Sequence, residues 1–231
     1  MLPNGSFEVL DPALHVDGAL VAAPSSSGIK GWAVEAGAVR VSLSATGNKT
    51  MGSHNLQPST DGSGTVVGLD SQTVVVAIST TFGMEASKTR KFALLFDTAA
   101  DPSYAETVLA LLTVNLTAQP SGEALAGAMY NLSSVGYTIN SVGWETKSLE
   151  FKAPTKGDDT SVKLTFMSGV IGSHGPLLDN VQVYEILEKG NYSDVGTRVA
   201  YGMHKVGVMT IIVMLTLGGW TVEFEGLLDW L

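Results

Sequence analysis

Cysteine is absent from this 231-residue chain. That excludes disulfides, thiolate metal sites and a cysteine nucleophile. Charge is scarce too. Only 15% of residues are Asp, Glu, Lys or Arg, and 13 basic residues face 22 acidic ones, for a net charge of −9. There is no basic cluster, so nucleic acid is excluded as a partner, because a phosphate backbone demands Lys/Arg patches. The same deficit argues against an anionic membrane surface. Histidine is limited to His15, His54, His174 and His204, with no i, i+4 pair. Gly-x-Ser-x-Gly, His-Glu-x-x-His, P-loop and Gly-x-Gly-x-x-Gly patterns are all missing. Asp158-Asp159 are adjacent in a turn and point apart, whereas a glycosidase needs two carboxyls about 5–10 Å apart across a cleft. The chain therefore reads as a non-enzyme. No secretory signal peptide is visible, since Met1-Leu2-Pro3-Asn4 has neither a basic nor an apolar leader segment.

What is present is apolar and turn-rich. Hydrophobic residues make up 45% of the chain, enough for a sizeable core. With so little charge, the surface must be built from Ser, Thr, Asn and Gly. Five of the eight asparagines (Asn4, Asn48, Asn115, Asn131, Asn191) stand in Asn-x-Ser/Thr sequons, which reads as an extracellular glycoprotein. The alternative is a Ser/Thr-rich composition carrying no glycans.

Short alternating runs recur along the chain. Phe7 and Val9 flank Glu8. Gly31-Trp32 opens a strand that continues, after a bend at Gly37, into residues 39–43. Residues 44–64 read as a long surface loop. Strands are expected at 65–69 and at 72–81, the second with Val74, Val76 and Ile78 on one face. Residues 91–97 place Phe92, Leu94 and Phe96 together. Residues 107–117 are almost continuously apolar and read as a central strand covered on both faces, with a helix over 105–112 as the alternative. Residues 118–143 read as loop-rich, 144–152 as a strand, and 161–166 as a clean alternation with Val162, Leu164 and Phe166 inward. About nine or ten strands at regular spacing predict an all-β fold, an antiparallel sandwich or jelly roll.

The last of these strands, Gly175 to Tyr184, carries an anomaly. Strict alternation puts Leu177, Asp179, Val181 and Val183 on one face and Asn180, Gln182 and Tyr184 on the other. A carboxylate on an apolar face is costly unless backbone N–H groups or a cation satisfy it. The alternative is that Asp179 sits wet at the strand mouth and caps a turn.

The start Asn4-Gly5-Ser6-Phe7-Glu8, the Gly31-Trp32 and Gly143-Trp144 strands and the finish Gly175-Pro176-Leu177-Leu178-Asp179-Asn180-Val181 occur in a recognisable order. Together they resemble the galactose-binding-like jelly-roll modules. The nearest likeness is to the plant cell-wall family known as domain of unknown function 642 and its bacterial choice-of-anchor relatives. Family 4/9 carbohydrate-binding modules are more distant. The resemblance covers about residues 2–187. The plant proteins carry a cysteine just before the Gly-Pro, where this chain has Ser173-His174, and they usually hold two modules in tandem. The resemblance to the carbohydrate-binding modules implies a structural calcium held by Glu8, Asp179 and the carbonyl near Ser6; Asp61, in the Ser-Thr-Asp-Gly loop, is a weaker candidate ligand. These are oxygen donors of the kind calcium takes. The alternative is that Glu8 and Asp179 accept backbone N–H bonds and pin the ends of the domain.

The expected organisation is a galactose-binding-like sandwich over 1–187 and a C-terminal hydrophobic appendage over 188–231. The appendage holds an apolar run from Val206 to Trp220, 15 residues, or 17 when extended to Val222. That is short of the roughly 20 a spanning helix needs. It reads either as a marginal membrane anchor or as an extra element docked on the sandwich, and membrane association is expected only through it. The expected function is non-catalytic binding of polysaccharide or another cell-wall component, outside the cell or at its surface. The alternative is a structural or adhesion module that binds a protein such as a cell-wall enzyme. Tyr104, Tyr130 and Tyr137, read as lying in loop-rich stretches, are the candidate aromatic platforms for sugar rings.

Overall fold

The computed structural model describes residues 2, 5, 7, 9–10, 19–22, 28–43, 59, 65–69, 75–102, 109–138, 141–169, 175–186, 196–203, 209–217 and 220–227. They fall into two compact units, Met1–Ile186 and Leu187–Leu231.

The first unit is an all-β sandwich of two antiparallel sheets. Its strands are β1 (Ala19–Ala22), β2 (Ala33–Ala36), β3 (Ala38–Leu43), β4 (Thr65–Gly68), β5 (Ala77–Gly83), β6 (Lys91–Ala100), β7 (Leu109–Gln119), β8 (Ala124–Ser133), β9 (Glu145–Lys152), β10 (Ser161–Ser168) and β11 (Pro176–Ile186). One sheet has six strands in the order β1-β3-β4-β11-β6-β9, and the other has five in the order β2-β5-β10-β7-β8. From β4 to β11 nearly every connection crosses between sheets, the winding of a jelly roll. Only β7 and β8 are consecutive neighbours in that stretch.

The two inner faces follow from period-two patterning. Phe92, Leu94 and Phe96 of β6 are buried, as are Val162, Leu164 and Phe166 of β10. They meet across the sandwich, with the Phe96 and Phe166 rings 5.1 Å apart and edge-on. Trp32 lies between Phe7, at 4.9 Å, and Phe166, at 6.1 Å. The expected bend at Gly37 is real (φ 67°). It also moves the chain from one sheet to the other, because β2 and β3 belong to different sheets.

Four expectations need correction. The strand expected at 72–81 is β5, Ala77–Gly83; Val76 and Ile78 both lie in the core as expected, and Phe82 joins them there. Val74 lies outside the described residues. The apolar run at 107–117 is β7, a strand rather than a helix, and it is covered on one face only. Its residues alternate, with Ala110, Leu112, Val114, Leu116 and Ala118 buried, while Leu109 is 71% exposed. The stretch 118–143 is not all loop, because 124–133 pair with β7 as strand β8. Ala and Gly weaken the apolar/polar contrast there, and Pro120 and Gly122 precede rather than interrupt the strand.

The fourth correction concerns β11. Asp179 pairs with Asp97, but Gln182 pairs with Leu95, so the strand contains a bulge. Asn180 supplies the extra residue in left-handed conformation (φ 50°), as a bulge requires. The bulge reverses the alternation. Leu178, Val181 and Val183 belong to the core between the sheets, whereas Leu177 packs with Val66, Ala99 and Val142 in a separate cluster. Asp179 therefore shares a face with Leu177 but not with Val181.

The second unit is a three-stranded antiparallel sheet of β12 (Gly196–Met203), β13 (Met209–Leu217) and β14 (Trp220–Leu227), in the order β12-β13-β14. Much of the apolar run thus pairs as strand, from Thr210 with Leu227 to Leu217 with Trp220. Among the described residues no helix is long and apolar enough to cross a membrane.

Candidate functional site

The outer face of the five-stranded sheet is lined by the residues that alternate away from the core. Pairing registers place them in rows. Ser79 of β5 is opposite Thr165 of β10, which is opposite Asn115 of β7, which is opposite Gly127 of β8. One step along, Thr81, Lys163 and Thr117 form a second row. Neighbouring strands lie about 4.8 Å apart, so the first row sets hydroxyl and amide groups, and the second hydroxyl and ammonium groups, at that spacing, with the buried Ser79 at the floor. Glycine at 127 leaves space for the Asn115 side chain, because a Cβ there would come within 2.9 Å of its Oδ1.

At the β2 end the face dips into a groove of about 500 Å³ lined by Gly31, Trp32, Glu35, Ser79, Gln119 and Lys163, among others. The register slips between Val34 and Ala36, which leaves Glu35 as the unpaired residue of a bulge. Its carboxylate accepts from the Ser79 hydroxyl and forms an ion pair with Lys163 at 2.9 Å. The Ser79 hydrogen bond, and then Lys163, hold the Glu35 carboxyl below its ordinary value, so it is ionised at neutral pH. Glu35 and Lys163 neutralise each other. The groove thus offers hydrogen-bonding groups of both kinds with no net charge.

A second polar cluster lies on the far face of the six-stranded sheet, under cover. Asp179 and Asp97, opposite each other, are 0% and 1% exposed. Asp179 is neither wet nor unpartnered. Its carboxylate accepts from Ser59 Oγ at 2.7 Å and from the Asn180 backbone N–H at 2.7 Å. Asp97 accepts from Thr146 Oγ1 at 2.6 Å and from Asn180 Nδ2 at 3.2 Å. Nearby on the same face Arg40 forms a buried ion pair with Asp101. The start of the chain reaches this region, because the Val181 N–H donates to the Gly5 carbonyl at 2.8 Å. The two ends of the sandwich are therefore joined. Ser6, Glu8 and Asp61 lie outside the described residues. Among the described residues no group of three or more His, Asp or Glu side chains could hold a metal ion.

Of the candidate tyrosines, Tyr104 is outside the described residues. Tyr130 is in β8 rather than in a loop. Its half-buried ring packs edge-on against Phe96 at 5.6 Å, and burial raises its hydroxyl pKa against the opposing effect of Lys147. Tyr137 is 45% exposed. Its ring lies on the backbone of Gly143, where a Cβ would meet it at 2.3 Å. Neither Tyr130 nor Tyr137 lines the groove. Sequence reasoning missed Glu35, Ser79, Gln119 and Lys163. The outward position of Lys163 was legible from the alternation in β10. Its meeting with Glu35 was not, since β2, β5 and β10 are neighbours only in space.

No protein-family model matches the chain, and no curated protein matches it. Among solved structures, it is similar to an enzymatically active domain of tailspike protein 4 from bacteriophage CBA120 (18% identity, TM-score 0.42). That likeness covers 75% of this chain but only 22% of the tailspike chain. A CBM4 carbohydrate-binding module is similar over 80% of this chain and 100% of its own (12% identity, TM-score 0.43). The CBM22-1 xylan-binding domain from Paenibacillus barcinonensis is similar over 74% of this chain and 95% of its own (12% identity, TM-score 0.42). At these identities and TM-scores the likenesses decide neither family nor ligand.

Proposed function

We propose that the sandwich is a non-catalytic module that binds carbohydrate on the outer face of its five-stranded sheet. The carrying observation is the pair of registered polar rows, Ser79-Thr165-Asn115 and Thr81-Lys163-Thr117, leading into the groove at Glu35. A ligand rich in hydroxyls needs donors and acceptors in alternation and no large charge, and this face supplies both. The partner class is polysaccharide of a cell wall or extracellular matrix, in keeping with the resemblance to plant cell-wall and bacterial surface modules. The sequons at Asn48 and Asn191 support a location outside the cell, whereas Asn115 and Asn131 stand in β7 and β8. Tyr104, Tyr130 and Tyr137 remain the aromatic candidates for stacking on sugar rings.

Calcium belongs to the same proposal as a structural ion near the joined chain ends. Asp179 would hold it, with Glu8, the carbonyl near Ser6 and Asp61. The fit rests on two observations. Two buried carboxylates, Asp97 and Asp179, lie on paired positions, and Gly5, which precedes Ser6 in the sequence, is bonded to Val181 of β11. The donors are all oxygen, as calcium requires.

The test is a glycan array followed by titration of the strongest binder with Glu35→Ala and Thr165→Val. Each loses about 1 kcal/mol of hydrogen bonding, or roughly five-fold in affinity, with an unchanged melting profile. The reading is overturned if no glycan binds, or if both variants bind like the parent. Capture of a wall enzyme without any glycan binding would favour the protein-partner function instead.

A further inference from the structure

An exposed sheet edge offers unpaired backbone N–H and C=O groups to any other strand. Folded proteins usually blunt such edges with shortness, charge, proline or bulges. Three of the four sheet edges of the sandwich are blunted in this way. β1 and β2 are only 4 residues long. β9 spans 8 residues, and Glu145, Lys147, Glu150 and Lys152 make half of it charged. The fourth edge is β8, 10 residues long, running ALAGAMYNLS with no charge and no proline. Among the described residues it pairs with β7 alone. β7, another 11 residues, is uncharged as well. On a chain carrying a net −9, these two strands are uncharged, and Glu123 in the turn between them is paired with Lys156.

It is also where apolar side chains reach solvent. Of the five large apolar residues most exposed among those described, Leu109 (71%) and Met129 (70%) lie on β7 and β8, and Val135 (61%) lies in the turn after β8.

We infer that β8 pairs with β8 of a second copy of this chain, antiparallel across a two-fold axis. The pair of five-stranded sheets then becomes one continuous sheet. An antiparallel edge is self-complementary under a two-fold rotation, since each strand presents the donors and acceptors the other lacks. Charge selects the site. Two copies at −9 repel wherever carboxylates meet, and β8 is a long edge strand that carries none. The backbone bonds of the new ladder are joined by contacts of Met129 with its counterpart near the axis. This inference stands independently of the sugar reading, which concerns side chains on the sheet face.

Sedimentation velocity of the full chain, made without glycans, tests it over about 1–200 µM. The parent is expected to shift from monomer to dimer within that range. Met129→Glu places like charges near the axis, where they are destabilising, and is expected to raise the dimer dissociation constant at least tenfold. Thr89→Glu, which adds the same charge in an exposed turn, leaves it unchanged. Hydrogen exchange gives a second reading. Amides of 124–133 gain protection with concentration in the parent and not in Met129→Glu. A parent that stays monomeric throughout, a dimer indifferent to Met129→Glu, or protection gained elsewhere than on 124–133 overturns the inference. So does a monomer whose glycan binding falls on Met129→Glu, which assigns the strip to the ligand.

Discussion

Replacing Gly5 with alanine places a Cβ 1.8 Å from the carbonyl oxygen of Val181 and 3.0 Å from its carbon. Both contacts are backbone, so no side chain can swing aside. One chain must retreat by roughly 1–2 Å to reach a van der Waals separation. Gly5 does not sit in the left-handed region, so the cost comes from contact and not from the conformation of alanine itself. The retreat breaks the 2.8 Å bond from the Val181 N–H to the Gly5 carbonyl. Val181 is 2% exposed, so its N–H loses its partner away from water, at about 1–3 kcal/mol. Displacing packed neighbours adds about 1–3 kcal/mol. Gly5→Ala is therefore expected to destabilise the sandwich by about 2–5 kcal/mol. For a unit of this size that corresponds to roughly 5–15 °C in melting temperature. Urea titration followed by tryptophan fluorescence reads the change, since Trp32 is buried between Phe7 and Phe166. Gly157→Ala is the control, because nothing lies within 4 Å of its Cβ position. Equal urea midpoints for the two variants would refute the joining of the chain ends.

Other outcomes follow from the same geometry. Asp179→Ala loses bonds from Ser59 and Asn180 to a buried carboxylate and is expected to cost about 2–4 kcal/mol. Asp158→Ala, at an exposed turn, stays within about 0.5 kcal/mol, and equal denaturation curves would sink the contrast. If the calcium proposal holds, calcium raises the parent's calorimetric midpoint and a chelator lowers it, and Asp179→Asn removes that response. No response in the parent ends the proposal. Asp159 accepts from the Ser121 backbone N–H at 2.9 Å and its hydroxyl at 2.7 Å, and these bonds, the backbone one foremost, lower its pKa. A depressed folded-state pKa stabilises above the unfolded value, near 3.9, and that stability is lost as pH falls through the folded value. Asp159→Asn should thus lower stability at neutral pH and flatten the profile below about pH 4, so that the two curves converge at acid pH. An acid limb identical to the parent's would show that Asp159 does not carry it.

Much of the fold was legible in the chain because sheet faces repeat every two residues. Phe92, Leu94 and Phe96, and likewise Val162, Leu164 and Phe166, announced two inner faces before any coordinates did. Turn residues marked where strands end, and Gly37 marked a change of direction. Alternation failed where an extra residue enters. The bulge at Asn180 has no period to read, and one residue reverses every face that follows. It took Asp179 off the face of Val181 and put it beside Asp97 instead. The β7 run misled for a related reason. Leu109 and Leu111 face outward on a half-solvated strand, so composition mimicked burial.

The candidate site was still less accessible, and the physical reason is distance along the chain. Glu35, Ser79, Thr165 and Asn115 are ordinary strand residues until β2, β5, β10 and β7 lie side by side. By itself the sequence determined an all-β sandwich without cysteine, basic patch or catalytic motif, bounded by the Asn-Gly-Ser-Phe-Glu and Gly-Pro-Leu-Leu-Asp motifs. Only the tertiary structure decided which polar side chains share a row, which carboxylates face each other, and which sheet edge lacks charge. Those are relations between strands, set by register and by which strand pairs with which, and no local pattern encodes them.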